Sequence, residues 1–148
     1  MKKPQKHPFI VRIVALILII SIMTPIGASA VEVQPRASDY LTSYNSYIYR
    51  PASGTIRVYF TVTGTDYMDE LGVLSISLYE STDNGTTWTW KKTFTHDSTT
   101  GMLSYNDDFH SGYVTYYGWP SRQYKAYVCV WGGKDGQGDT RYFWAYEV

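Results

Sequence analysis

Apolar residues fall on every second position over much of this chain, and that alternation limits its possible folds more than any other feature. Ile56, Val58, Phe60 and Val62 alternate with Arg57, Tyr59, Thr61 and Thr63. Successive side chains of an extended strand point to opposite faces, so the first set is assigned to a core and the half-polar second set to an outer face. Leu74, Ile76 and Leu78 alternate in the same way with Ser75, Ser77 and Tyr79, and Tyr124, Ala126, Val128 and Val130 do so near the C-terminus. No helical periodicity of useful length appears beyond residue 38. The reading is all-β, an antiparallel β-sandwich of about seven to eight strands.

Residues 1–30 do not share this pattern and read as a cleaved signal peptide. Lys2, Lys3, Lys6 and Arg12 form a positive end, an apolar run extends from Ile13 to Met23, and Ala28-Ser29-Ala30 supplies the small residues of a cleavage site. That run is well short of the ~20 residues that span a bilayer, so no membrane association is expected after cleavage. Residues 31–38 are a short linker and residues 39–148 a single β-domain, expected outside the cell. Four of the thirteen basic residues lie in the leader, which leaves nine against thirteen acidic ones, a formal charge of minus four. Nucleic-acid binding loses its usual electrostatic support. Cys129 is the only cysteine, so packing rather than an internal disulfide must hold the domain. All 15 tyrosines and all five tryptophans lie beyond residue 30, and aromatics bury much area per residue.

Turn chemistry divides the alternating segments. Tyr40 to Tyr49 reads as an edge strand, Gly64 to Glu70 as a loop, Asn106 to Asp108 as a bend, and Gly132 to Gly138 as a flexible loop before a last strand carrying Tyr142, Trp144, Tyr146 and Val148. The sharpest turn is STDNGTTW, Ser81 to Trp88. Asp83-Asn84-Gly85 tolerates positive φ in a tight hairpin, Ser81 and Asp83 are placed to bond turn amides, and Trp88 to cover the loop. Trp88, Trp90 and Phe94 of the following strand are expected to share a face with Lys92. At Ser81, Asp83, Gly85, Thr87 and Trp88 the segment resembles an Asp-box hairpin. The box occurs once, and with no internal repeat the chain is too short for a propeller of such hairpins.

YKAYVCVWGGKDGQGD, beginning at Tyr124, resembles the penultimate strand, loop and final strand entry of fibronectin type III domains. The resemblance implies that Tyr124 is a tyrosine-corner residue whose hydroxyl bonds backbone near Trp119 or Pro120. The N-terminal strands lack a clear fibronectin-type tryptophan, which leaves the strand order open. Over nearly its full length, through RAS-x-YL at Arg36 to Leu41 and the DNGTTW hairpin, the chain is similar to a family of small secreted β-proteins of Gram-positive bacteria. That resemblance implies export and an immunoglobulin-like or fibronectin-like sandwich, and it brings no activity with it.

Catalytic patterns are not evident. Asp66, Asp69, Asp107, Asp108, Asp135 and Asp139 fall in expected loops, where solvated charges are the simpler reading than an acid and base pair. His96 and His110 lack metal-ligand spacing, no GxSxG turn occurs, and Asp135 and Asp139 lack the dense ligand series of a calcium loop. No catalytic residue, metal or cofactor is assigned. The surplus is aromatic: Tyr59, Tyr79, Tyr127 and Trp131 lie on the phase opposite the core and are candidates for a binding platform, the plainer reading being that tyrosines tile a sheet through β-propensity. The expectation is a non-enzymatic interaction or structural protein, its partner another extracellular protein or cell-wall glycan. A carbohydrate-binding module is the alternative, and a small glycan-active hydrolase ranks behind both.

Overall fold

The computed structural model describes residues 38–148, which belong to the compact unit Arg36–Val148. The leader at 1–30 and the linker up to residue 37 lie outside the described residues. The described residues form six strands and no helix: β1 (Leu41–Ala52), β2 (Thr55–Ser81), β3 (Thr89–Thr95), β4 (Leu103–Tyr117), β5 (Gln123–Lys134) and β6 (Gln137–Tyr146). Their ladders are antiparallel and join all six in one sheet, curled into a half-barrel.

β2 is the spine. Along one edge it pairs first with β1, from Thr55 to Gly64, and then with β5, from Glu70 to Ser81. Along the other it pairs with β4 as far as Gly72 and then with β3. The count of six differs from the seven to eight expected because two expected breaks are bridged. Gly64 to Glu70 stays within β2, and Asn106 to Asp108 within β4, because backbone partners are found on both sides of the bend: Gly64 pairs with Leu41, the Thr65 N–H donates to the Tyr40 carbonyl, Met68 pairs with Asp107, and Glu70 pairs with Tyr105 and Gly133. The bend is marked by a register shift between Thr63 and Met68 and by Asn106 at φ 54°.

Curling brings the inner face of the sheet onto itself. Ile56, Val58, Phe60 and Val62 from the first half of β2, Ile76 and Leu78 from its second half, and Ala126, Val128 and Val130 of β5 join one buried cluster. Two β-bulges alter the expected phase. A register shift between Val73 and Ser75 leaves Leu74 half-exposed while Val73 and Ile76 stay inside. Another, opposite Leu78 and Tyr79, skips Lys91, so Phe94 is buried while Trp90 turns out to solvent at 57 % exposure and Trp88 is half-buried. One extra residue moves every later side chain to the other face, which is why Trp88, Trp90 and Phe94 do not share one.

β1 and β6 run side by side in the same direction and meet at a single parallel bridge, Ile48 with Glu147, where the Val148 N–H donates to the Ile48 carbonyl at 3.1 Å. Ser38 Oγ donates to Asp139 Oδ2 at 2.7 Å near one end of this seam, and Arg50 Nε donates to Glu147 Oε1 at 3.0 Å near the other. Tyr44 and Phe143 pack between, 5.1 Å apart. The strands are thus fastened at both ends with little ladder in between.

Candidate functional site

The hairpin from Ser81 to Trp88 is built from its own side chains. Asn84 and Gly85 adopt φ 57° and 87°, the pair of positive values of a tight turn closed by the Thr86 N–H donating to the Asp83 carbonyl, inside the longer loop that joins β2 to β3. Ser81 Oγ donates to Asp83 Oδ1 at 2.8 Å and accepts the Gly85 N–H at 2.8 Å. Asp83 accepts the Thr87 N–H at 2.8 Å and the Thr87 hydroxyl at 2.6 Å, so each carboxylate oxygen has a donor within the loop. These hydrogen bonds to Thr87 and then Ser81 favour the charged form and lower the Asp83 pKa from 3.8 to about 2. Because the folded value is depressed, its stabilising contribution is complete above pH 3.8 and is lost as pH falls toward about 2. Acid titration of the melting temperature should therefore fall more steeply across that window for the native chain than for Asp83→Asn. Parallel curves would show that the carboxylate does not support the fold.

Tyr124 sits at the start of β5, 1 % exposed. Its hydroxyl accepts the Trp119 N–H at 2.9 Å and donates to Glu80 Oε2 at 2.7 Å. Burial, and then the bond to Glu80, push the phenol well above its ordinary pKa, so it stays a donor. Lys91 Nζ lies 3.4 Å from the other Glu80 oxygen, giving this buried carboxylate two partners. Sequence reading overlooked Glu80, although it continues the inward phase of Ile76 and Leu78.

The outer face carries the aromatic residues in two groups. Tyr47, Tyr59 and Tyr113 are direct cross-strand partners on β1, β2 and β4 and form a row across three strands. Tyr47 stacks on Tyr59 at 5.3 Å and 9°, and Tyr113 lies 5.2 Å from Tyr59 on the other strand, so Tyr59 is enclosed by rings on both sides. The Arg57 guanidinium lies over Tyr113 at 4.5 Å. In the second group Tyr127 meets Tyr142 at 5.8 Å and Trp144 at 4.9 Å, and Tyr79 meets Trp144 at 5.5 Å. Lys125 Nζ lies between two indoles, 4.5 Å from Trp88 and 4.3 Å from Trp144.

Of the four candidate platform residues, Tyr79 and Tyr127 thus share Trp144 as neighbour, and Tyr59 belongs to the other row. Trp131 belongs to neither: it is half-buried, its ring lying against the backbone of Gly133 and Gly138, where an added Cβ on Gly133 would come within 2.7 Å of Cζ2. Its outward phase is that expected of it, but the glycine-rich hairpin folds over it. Tyr47, Tyr113 and Trp144 escaped notice, although the phases of Ile48, Val114 and Ala145 would have marked them as outward-facing.

A groove of about 420 Å³ follows the β1/β6 seam, with Tyr47 and Asn45 on one wall and Trp144 and Tyr146 on the other. A second, of about 290 Å³, continues from Tyr47 past Thr61 to Ser111 and Gly112. The candidate acids lie elsewhere and have local roles: Asp66 pairs with Lys134 at 2.7 Å, Asp69 accepts the Asp135 N–H at 2.7 Å, and Asp139 holds Ser38. His110 Nε2 lies 2.9 Å from the Gly101 carbonyl oxygen. Among the described residues no cluster of three or more His, Cys, Asp and Glu is arranged to hold a metal. Cys129 is buried, and burial raises its pKa. Compared with family models, curated proteins and solved structures, the chain finds no match.

Proposed function

We propose that the chain is a secreted, non-catalytic binding module in which the facing halves of the bent sheet act as the two layers of a sandwich and the outer face receives a partner outside the cell. The leader at residues 1–30 provides the export signal. The Asp-box hairpin and the Tyr124 to Glu80 contact serve stability, and binding falls to the aromatic outer face.

The carrying observation is the Tyr47, Tyr59 and Tyr113 row, which leads to a groove whose far wall is Trp144 and Tyr146. The core is complete without these rings. Tyr47 is 38 %, Tyr113 50 %, Trp144 40 % and Tyr146 57 % exposed, a contiguous apolar surface of the kind that marks an interaction site. Partners consistent with it are an extracellular protein or a cell-wall glycan.

Co-sedimentation of purified residues 31–148, which contain the whole compact unit Arg36–Val148, with intact Gram-positive cells and isolated walls tests this reading. Retention is expected, together with its loss in the Tyr47→Ala/Trp144→Ala double variant at nearly unchanged melting temperature. No retention on either material, or turnover of a glycan or peptide library, contradicts it.

A further inference from the structure

The chemistry of the two grooves narrows the partner. Next to the Tyr47, Tyr59, Tyr113 row, register places Asn45, Thr61 and Ser111 in line across the same three strands. Bulky rings thus form a ridge, and short polar side chains form a trench beside it. Tyr47 lines both grooves, so the trench beside the ridge and the seam between β1 and β6 meet at its ring. The described lining of both grooves contains no Asp, Glu, Lys, Arg or His side chain. The nearest cations lie outside that lining: Arg57 on the far side of the ridge, engaged with the Tyr59 hydroxyl at 3.3 Å and the Tyr113 ring, and Lys125 against the Trp144 ring at 4.3 Å, where it is shared with Trp88.

With no charged side chain in its described lining, and its two neighbouring cations engaged by aromatic rings, the track offers little to a polyanion or to a charged peptide, for which binding surfaces supply opposite charge. A peptide adding as a strand is also disfavoured. Insertion between β1 and β6 needs room for a strand at the ~4.8 Å ladder spacing on each side, and the seam is fastened at both ends and floored by the Tyr44 to Phe143 contact. Aromatic rings beside amide and hydroxyl groups instead match a sugar chain, whose C–H faces stack on rings while its hydroxyls exchange hydrogen bonds with Asn, Ser and Thr. The ring faces of Tyr59 are taken by its neighbours. Tyr47 has Tyr59 as its ring partner and borders the open seam, which makes it the stacking residue. Two joined grooves suit an extended chain better than a compact ligand.

Resting on the binding reading above, we infer that the uncharged track from Ser111 through Tyr47 to Trp144 is a subsite for a neutral glycan chain, with Tyr47 at its joint.

Titration calorimetry of residues 31–148 against soluble cello-oligosaccharides and chito-oligosaccharides, with a teichoic acid and an extended peptide run in parallel, tests it. Saturable binding to a neutral oligosaccharide is expected. It should weaken roughly tenfold or more in Tyr47→Ala, the scale of a central aromatic contact. Ser111→Trp, which fills the trench from an exposed position, should weaken it similarly, so a folding defect in the first variant does not decide the matter. Asp83→Ala, in the hairpin, should leave binding per folded molecule unchanged. Binding to the teichoic acid or peptide alone, or neutral-glycan binding indifferent to both track variants, overturns the inference. Retention on cells without any neutral-glycan binding overturns it while leaving the binding function standing, and loss of both removes both.

Discussion

Replacing Gly72 by alanine is expected to cost about 3 kcal/mol or more, enough to unfold much of a domain of ordinary stability. Gly72 lies where β2 is paired on both edges, to Leu103 of β4 and Trp131 of β5, and its φ is 147°, a conformation that side chains rarely adopt. A Cβ there would run into the Met102 carbonyl oxygen and come within 3.0 Å of the Leu103 Cα, which is backbone and has no rotamer with which to yield. The adjacent bond from the Val73 N–H to the Met102 carbonyl, 2.8 Å, would be broken in the same movement. Urea denaturation checks this: a strongly lowered midpoint is predicted. A near-native midpoint would mean that β2 is not held between β4 and β5 at Gly72.

Phe60→Ala is the second large effect, about 3–5 kcal/mol of lost stability. Phe60 is 1 % exposed, and its ring occupies space that Gly112 leaves open across the ladder, with Cζ 2.7 Å from where a Cβ on that glycine would lie. Its neighbour Tyr59 points the other way and is held by rings in the outer row, so Tyr59→Ala should cost less, about 1–2 kcal/mol. The comparison reads out the phase of β2 directly. If Tyr59→Ala were the more damaging, inner and outer faces would be exchanged.

Sequence alternation located the core well where strands are regular. Ile56 to Val62 and Ala126 to Val130 needed only the period of two, because a buried face on one side and water on the other leaves a clean pattern. It failed where a single residue is inserted: the shifts near Leu74 and Lys91 turn Leu74 and Trp90 outward, and a bulge has no composition of its own to announce it. It also divided β2 at Gly64 to Glu70, since those residues carry turn chemistry, and only pairing to distant strands, β1 at Gly64, β4 at Met68 and Glu70 and β5 at Glu70, keeps them extended.

The hairpin was legible down to its residue types because its hydrogen bonds are local, spanning four residues or fewer. The candidate track was not. It depends on β1 lying beside β6, about a hundred residues away, and on Tyr47, Thr61 and Ser111 coming from three strands. Single positions such as Tyr59 could be marked as outward-facing, but which rings cover one another is decided by register between strands.

In the proposed division of roles, the Ser81 to Trp88 hairpin serves stability and the row at Tyr47 serves binding. One paired measurement tests that division, melting temperature and wall retention of Asp83→Ala beside those of Tyr47→Ala. The prediction is a lowered melting temperature with undiminished retention per folded molecule for Asp83→Ala, and the reverse for Tyr47→Ala. Retention lost in Asp83→Ala at native stability, and kept in Tyr47→Ala, would contradict it.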